Sequence, residues 1–215
     1  MAVMDFKKAF DKLCYTRDAS TVWTDFLNYS IDQFLINPNK KYFHYDKYEE
    51  EDYINFSECF HAWIIGMDES LQDNKWYDLL GELYEDIIIS SYKAGTKGQF
   101  FTPPSVTNAM TSSADTVEDK EKGTCMDCAC GSGRLLLSWH IHHPQNICFG
   151  EDVDEQAAKM CVLNFLVHDV KGSVCWGNSL SGEFFDAWKV HEFPFTIMSV
   201  NSISEANCFI GVSSA

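Results

Sequence analysis

Thr124-Cys125-Met126-Asp127-Cys128-Ala129-Cys130-Gly131-Ser132-Gly133-Arg134-Leu135-Leu136-Leu137 is a short apolar run that ends in an aspartate, turns through two glycines and enters a helical pattern. Without Cβ atoms, Gly131 and Gly133 let backbone amides approach a ligand at a helix N-terminus, where the helix dipole favours electron-rich groups. The next apolar run, Ile147 to Gly150, leads into Glu151 and Asp152, which places a carboxylate 21 residues after Gly131. That separation is expected of an acid that holds ribose hydroxyls. A dinucleotide fingerprint needs a small third residue, G-x-G-x-x-G, and this chain has Leu136 there. NAD and FAD are therefore poor fits, whereas a nucleoside without phosphate, such as S-adenosylmethionine, needs only the first two glycines and the acid.

Outward from this turn, Val174 to Trp176 and Phe195 to Val200 read as further strands, with helices of about 10 to 15 residues between strands, an α/β sheet of parallel strands. The aromatic-rich segment Trp176 to Trp188 reads as helix-packing core. Before the turn the grammar is helical. Apolar residues recur at helical spacing through Val22, Trp23, Phe26, Leu27 and Ile31, then Phe56, Phe60 and Trp63, then Leu79, Leu80, Leu83, Tyr84, Ile87 and Ile88. Three or four helices are predicted, with Ser20 capping the second, the acidic run Glu49 to Asp52 in the first turn of the third, and Gly95 ending the last. The domains are expected at 1–95 and 96–215.

The chain has 215 residues, 46% of them hydrophobic, and a net charge of −16. Such a length buries a real core, and such a charge, split evenly between residues 1–97 and 98–215, speaks against a free-standing nucleic-acid binder. No apolar run reaches a membrane span and the N-terminus lacks a signal-peptide layout, so a cytoplasmic chain is expected. Nine cysteines without framework spacing fit reduced, buried thiols. Cys125 and Cys128 belong to the strand and turn already read, so no metal site is drawn from them with His140, His142 and His143. No signature supports a cysteine nucleophile with His168 or His191.

Four elements in order, Gly98-Gln99-Phe100-Phe101-Thr102-Pro103, Asp127 to Gly133, Gly150-Glu151-Asp152 and Gly177-Asn178-Ser179-Leu180, resemble the amino-methylating DNA adenine methyltransferases, most closely the modification subunit of type I restriction-modification systems. The resemblance implies an incomplete Rossmann-like methyltransferase sheet, doubly wound and mainly parallel, after the helical domain. It implies that Phe101, Thr102 and Pro103 close over the methionine end of S-adenosylmethionine, that Asp127, Gly131 and Gly133 cradle it, that Asp152 holds its ribose, and that Asn178, where the family has Asp, meets its adenine.

The family's catalytic (N/D/S)-P-P-(Y/F) motif corresponds to Asn201-Ser202-Ile203-Ser204, which keeps the polar residue and lacks both prolines and the base-stacking aromatic. The chain stops 14 residues after Asn201, so a sheet truncated after its fourth strand is expected. Three readings of function follow: a cofactor-binding DNA adenine methyltransferase, a catalytically inactive or regulatory protein that binds a specificity or modification subunit, and a methyltransferase completed in trans. DNA is met only within a complex, and self-association is open. The strand Phe195 to Val200 would leave an apolar sheet edge, to be covered by the tail Cys208 to Val212, by a second copy or partner, or by the N-terminal helices.

Overall fold

The computed structural model describes residues 2–37, 40–90, 101–114, 123–191 and 196–200. It divides into two compact units, one holding the N-terminal helices and one holding the sheet together with the short stretch that follows the second helix.

The first unit is built from α1 (Ala2–Leu13), α2 (Ala19–Phe34), α3 (Glu50–Asp73) and α4 (Leu79–Tyr84). Its core is aromatic. Phe6 meets Phe26 edge-on at 5.1 Å and Trp23 at 6.1 Å, while Phe43 stacks on Tyr48 at 5.4 Å and meets Phe56 edge-on at 4.9 Å. Such offset and edge-to-face pairs add to plain area burial. The cap of α2 is Asp18 rather than Ser20, because the Asp18 carboxylate accepts the Thr21 amide at 3.0 Å, the geometry an N-cap requires. At α3 the acidic run behaves as read: Asp52 accepts the Glu49 amide at 3.2 Å. Asp78 caps α4 by accepting from Gly81 at 2.8 Å. Gly95 lies outside the described residues.

The second unit contains α5 (Pro104–Ala114), β1 (Thr124–Asp127), α6 (Arg134–His142), β2 (Ile147–Asp152), α7 (Glu155–Val167), β3 (Gly172–Asn178), β4 (Glu183–His191) and β5 (Thr196–Val200). The five strands lie in the order β1-β2-β3-β4-β5. The β1–β2 and β2–β3 ladders are parallel, with Cys125 opposite Cys148 and Phe149 opposite Ser173. The β3–β4 and β4–β5 ladders are antiparallel, with Val174 opposite Trp188 and Val190 opposite Ile197. Four of the five strands therefore point the same way. The α7 helix, buried from Gln156 to Leu166, packs on β2, β3 and β4, as a helix apolar around most of its circumference must.

The aromatic segment Trp176 to Trp188 supplies helix-packing core in part, Trp188 being fully buried on a strand that α7 packs on, but its backbone is extended: residues 183–191 form β4, a hairpin partner of β3 that turns at Gly182, φ +74°. The outer edge of β5 meets the stretch after α2, where Leu35 bridges to Ile197 in parallel and the Ile36 amide donates to the Ile197 carbonyl at 3.0 Å. The tail Cys208 to Val212 lies outside the described residues.

Candidate cofactor-binding site

The glycine turn is held by its own backbone. Asp127 ends β1 and its side chain accepts the Ala129 amide at 3.1 Å; the Cys130 amide donates to the Glu151 carbonyl at 2.9 Å, and the Gly133 amide to the Cys130 carbonyl at 2.8 Å. Gly131 has φ +55° and Gly133 φ +94°, left-handed values that other residues rarely adopt. Packing gives a second reason for both glycines. A Cβ on Gly133 would stand 2.8 Å from Cys161 Sγ on α7, and one on Gly131 would stand 3.0 Å from the Phe101 ring. From below, the buried Asn164 of α7 donates to the Ser132 carbonyl at 2.9 Å.

Asp152 closes the turn from the neighbouring strand. One carboxylate oxygen accepts the Gly131 amide at 2.8 Å and the other accepts the Asp154 amide at 2.9 Å. Burial pushes the Asp152 carboxyl above its ordinary value, and those two amide bonds pull against the shift. The spacing of 21 residues thus becomes a direct contact.

The turn after β3 forms the third wall. Asn178 Oδ1 accepts the amides of Leu180 at 3.0 Å and Ser181 at 3.3 Å, so the oxygen assigned by resemblance to an adenine amine also shapes its own turn. Ser179 Oγ donates to the Cys128 carbonyl at 3.2 Å, which ties this turn to the glycine turn. Two exposed apolar side chains stand at these turns, Val153 just after β2 at 61% and Leu180 in the Asn178 turn at 99%. Trp176, opposite Asp152 in the sheet, donates its indole N–H to the Val153 carbonyl at 3.2 Å and meets Phe185 at 5.0 Å. Positive-φ glycines, a carboxylate one strand away and exposed apolar side chains beside it suit a nucleoside that carries no phosphate.

Phe101, Thr102 and Pro103 lead into α5. The Pro103 carbonyl accepts the Val106 and Thr107 amides, each at 3.0 Å, and Thr107 Oγ1 at 3.1 Å. The Phe101 ring lies against Gly131, so this loop, the glycine turn, Asp152 and the Asn178 turn come together at one end of the strands.

Residues 75–201 match the N-6 DNA methylase family, a span of more than half of the chain. The chain belongs to that family. The Type I restriction enzyme MjaVIII methylase subunit of Methanocaldococcus jannaschii is 31% identical over 121 residues, which cover 52% of this chain and 20% of that protein. The Type I restriction enzyme EcoEI methylase subunit of Escherichia coli is 28% identical over 106 residues, covering 43% and 21%. The chain therefore spans about a fifth of the length of these curated relatives. A solved type I restriction-modification system methyltransferase subunit from Streptococcus thermophilus aligns with a TM-score of 0.37 and 23% identity, over 58% of this chain and 27% of that one. A helical N-terminal part followed by a Rossmann-like sheet is the architecture read for the N-6 DNA methylase from its motifs.

Asn201, the candidate catalytic residue, lies outside the described residues. The strand before it, β5, sits at the opposite edge of the sheet from β1. Four strand intervals make that separation about 19 Å. Among the described residues no group of three or more His, Cys, Asp or Glu is placed to hold a metal ion, and no helix is long and apolar enough to cross a membrane.

Three residues of the site escape a reading of motifs alone. Ser179 falls inside a quoted motif without a role. Asn164 is the lone amide in the apolar run Met160 to Leu166, and a polar residue in such a run is a signal of a buried hydrogen bond. Arg134, a cation at the first position of a helix, stands against the dipole and so asks for an explanation.

Proposed function

We propose that this member of the N-6 DNA methylase family binds S-adenosylmethionine at the C-terminal ends of β1, β2 and β3, as the cofactor-binding part of a DNA adenine methyltransferase. The observation that supports it most is the Asp152–Gly131 pair, which sets a carboxylate acceptor beside a positive-φ glycine turn. In this reading Asp152 accepts the ribose hydroxyls, and the backbone of Gly131 to Gly133 lies along the sugar and the amino-acid end. Val153 and Leu180 flank the adenine, with the Asn178 turn beneath it. Bound there, S-adenosylmethionine supplies an electrophilic methyl group. The residues of the chain position and shield, and none of them is asked to exchange a proton. Titration calorimetry with S-adenosylhomocysteine tests the reading: saturable binding is expected, weakened about tenfold in Asp152→Ala by the lost hydrogen bonds. Absence of binding at millimolar ligand overturns it.

A second reading, that the chain does not transfer the methyl group unaided, is favoured by the placement of β5 at the edge far from β1. On this reading the adenine-binding residues come from another chain, and a modification or specificity subunit is the partner we propose, the relatives being named as subunits of type I restriction enzymes. Transfer of labelled methyl groups from S-adenosylmethionine to DNA by the chain alone, lost in Asn201→Ala, would refute it.

A further inference from the structure

We propose that Arg134 is a positioning residue, which fixes the Phe101 to Pro103 loop over the glycine turn so that the loop meets the amino-acid end of the cofactor already in place. This rests on the cofactor reading above.

Arg134 is the first residue of α6 and is only 5% exposed. A guanidinium in the first helical turn opposes the helix dipole, and its burial forfeits hydration, so its neighbours must compensate. Two of them belong to the loop. The guanidinium carbon stands 5.2 Å from the centre of the Phe101 ring, within the range of a cation–π contact, and Nη1 donates to the Thr102 carbonyl at 3.4 Å. The Phe101 ring also reaches within 3.0 Å of where a Gly131 Cβ would stand. Phe101 is thus held by Arg134 and rests on the residue whose amide Asp152 accepts.

One turn further along the same face of α6, Ser138 supplies a second anchor. Its hydroxyl shares a hydrogen bond with Thr111 at 2.8 Å and donates to Asn108 Oδ1 at 3.0 Å, which fastens α5 to α6. Residues four apart lie above one another on a helix, so Arg134 and Ser138 form a single row. Ser138 fixes the helix that follows the loop, and Arg134 fixes the loop itself. Lysine would supply the charge at this position without the planar fork that serves a ring and a carbonyl together.

The test compares S-adenosylhomocysteine with adenosine, which lacks the amino-acid end, in the wild type, Arg134→Met, Phe101→Leu and the double variant. Arg134→Met is expected to bind S-adenosylhomocysteine about tenfold more weakly, the size of a lost charged contact, with adenosine affinity unchanged. Phe101→Leu is expected to show the same selectivity, and the double variant to be no weaker than the worse single one, because either change alone already breaks the Arg134–Phe101 contact. Equal losses for both ligands, or additive losses in the double variant, would overturn the proposal in favour of a structural role. Should Arg134→Met fail to fold, Phe101→Leu alone decides by the same comparison. A wild type that binds neither ligand refutes the cofactor reading instead, and one that binds both with Arg134→Met unaltered refutes only the role of Arg134.

Discussion

The Asp152 carboxylate accepts the Gly131 amide at 2.8 Å, so the acid read as a ribose ligand also pins the glycine turn proposed to cradle the cofactor. Burial raises its pKa above the ordinary 3.8, and the sign of the consequence differs for folding and for binding. A carboxyl with a raised folded pKa binds its proton more tightly in the native state. Its contribution to stability is therefore present below 3.8 and lost as pH rises through the raised value. Binding runs the other way, because ribose hydroxyls donate to the ionised form. S-adenosylhomocysteine affinity should be flat near neutrality and fall on acidification, starting at a higher pH than an exposed aspartate would allow. Asp152→Asn should flatten that part of the profile. A profile in the wild type identical to that of the variant, by titration calorimetry across the acid range, would show that Asp152 does not face the ligand.

Substitution at Gly133 tests why the turn is built from glycine. Alanine there meets a left-handed φ of +94° and Cys161 Sγ at 2.8 Å. The backbone strain costs about 1–3 kcal/mol and the overpacking a similar amount. Gly133→Ala should lower the melting temperature by several degrees, and adding Cys161→Ala should restore only the packing share. Full recovery in the double variant would mean that the backbone conformation costs nothing.

Much of the sheet is legible because the parallel half repeats one pattern, an apolar run followed by a turn and a helix. That pattern marks β1, β2 and β3 to within two residues, and the turn of Gly131 and Gly133 fixes where β1 ends. The β4 strand is hidden because its alternation is weak: Ala187 and Trp188 are consecutive and both fully buried, so period two is broken where it would be read. Long-range partners are hidden for a different reason. Nothing local in Asn164 or Arg134 names Ser132 or Phe101 as its contact, and no pattern in Leu35 or Ile36 points to a strand some 160 residues later.

That last contact yields a prediction about association. The Ile36 amide donates to Ile197 at 3.0 Å on the outer edge of β5. Ile36→Pro removes the donor, and Leu35 before it lies outside α2 in a parallel bridge to Ile197, where a following proline is tolerated better than in a helix. A loss of about 1 kcal/mol is expected, together with concentration-dependent association in light scattering as the edge is uncovered. Deleting residues 207–215 provides the comparison. If that deletion causes the association and Ile36→Pro does not, the tail rather than Ile36 protects the edge.

The cysteines report on whether the turn opens. Cys128 is exposed, while Cys130, Cys148 and Cys161 are buried. Burial pushes Cys148 up to about 12, and the side-chain hydrogen bond with Cys161, then burial, push Cys130 well above its ordinary value. The thiolate is the reactive form, so these three should resist alkylation at pH 8 in the folded protein. Half-buried Cys14 and Cys175, pushed up to about 11 and about 12, should follow Cys128 at a distance. Peptide mapping after a short pulse of iodoacetamide should therefore find Cys128 modified first among the described cysteines, and denaturant should make the buried ones reactive. Because the Cys128 carbonyl accepts the Ser179 hydroxyl at 3.2 Å, the thiol lies at the rim of the proposed cofactor cleft, and S-adenosylhomocysteine should slow its modification. Labelling of Cys130 or Cys161 at the rate of Cys128 would show that the glycine turn lifts off α7 in the native protein, since only such an opening exposes their sulfurs.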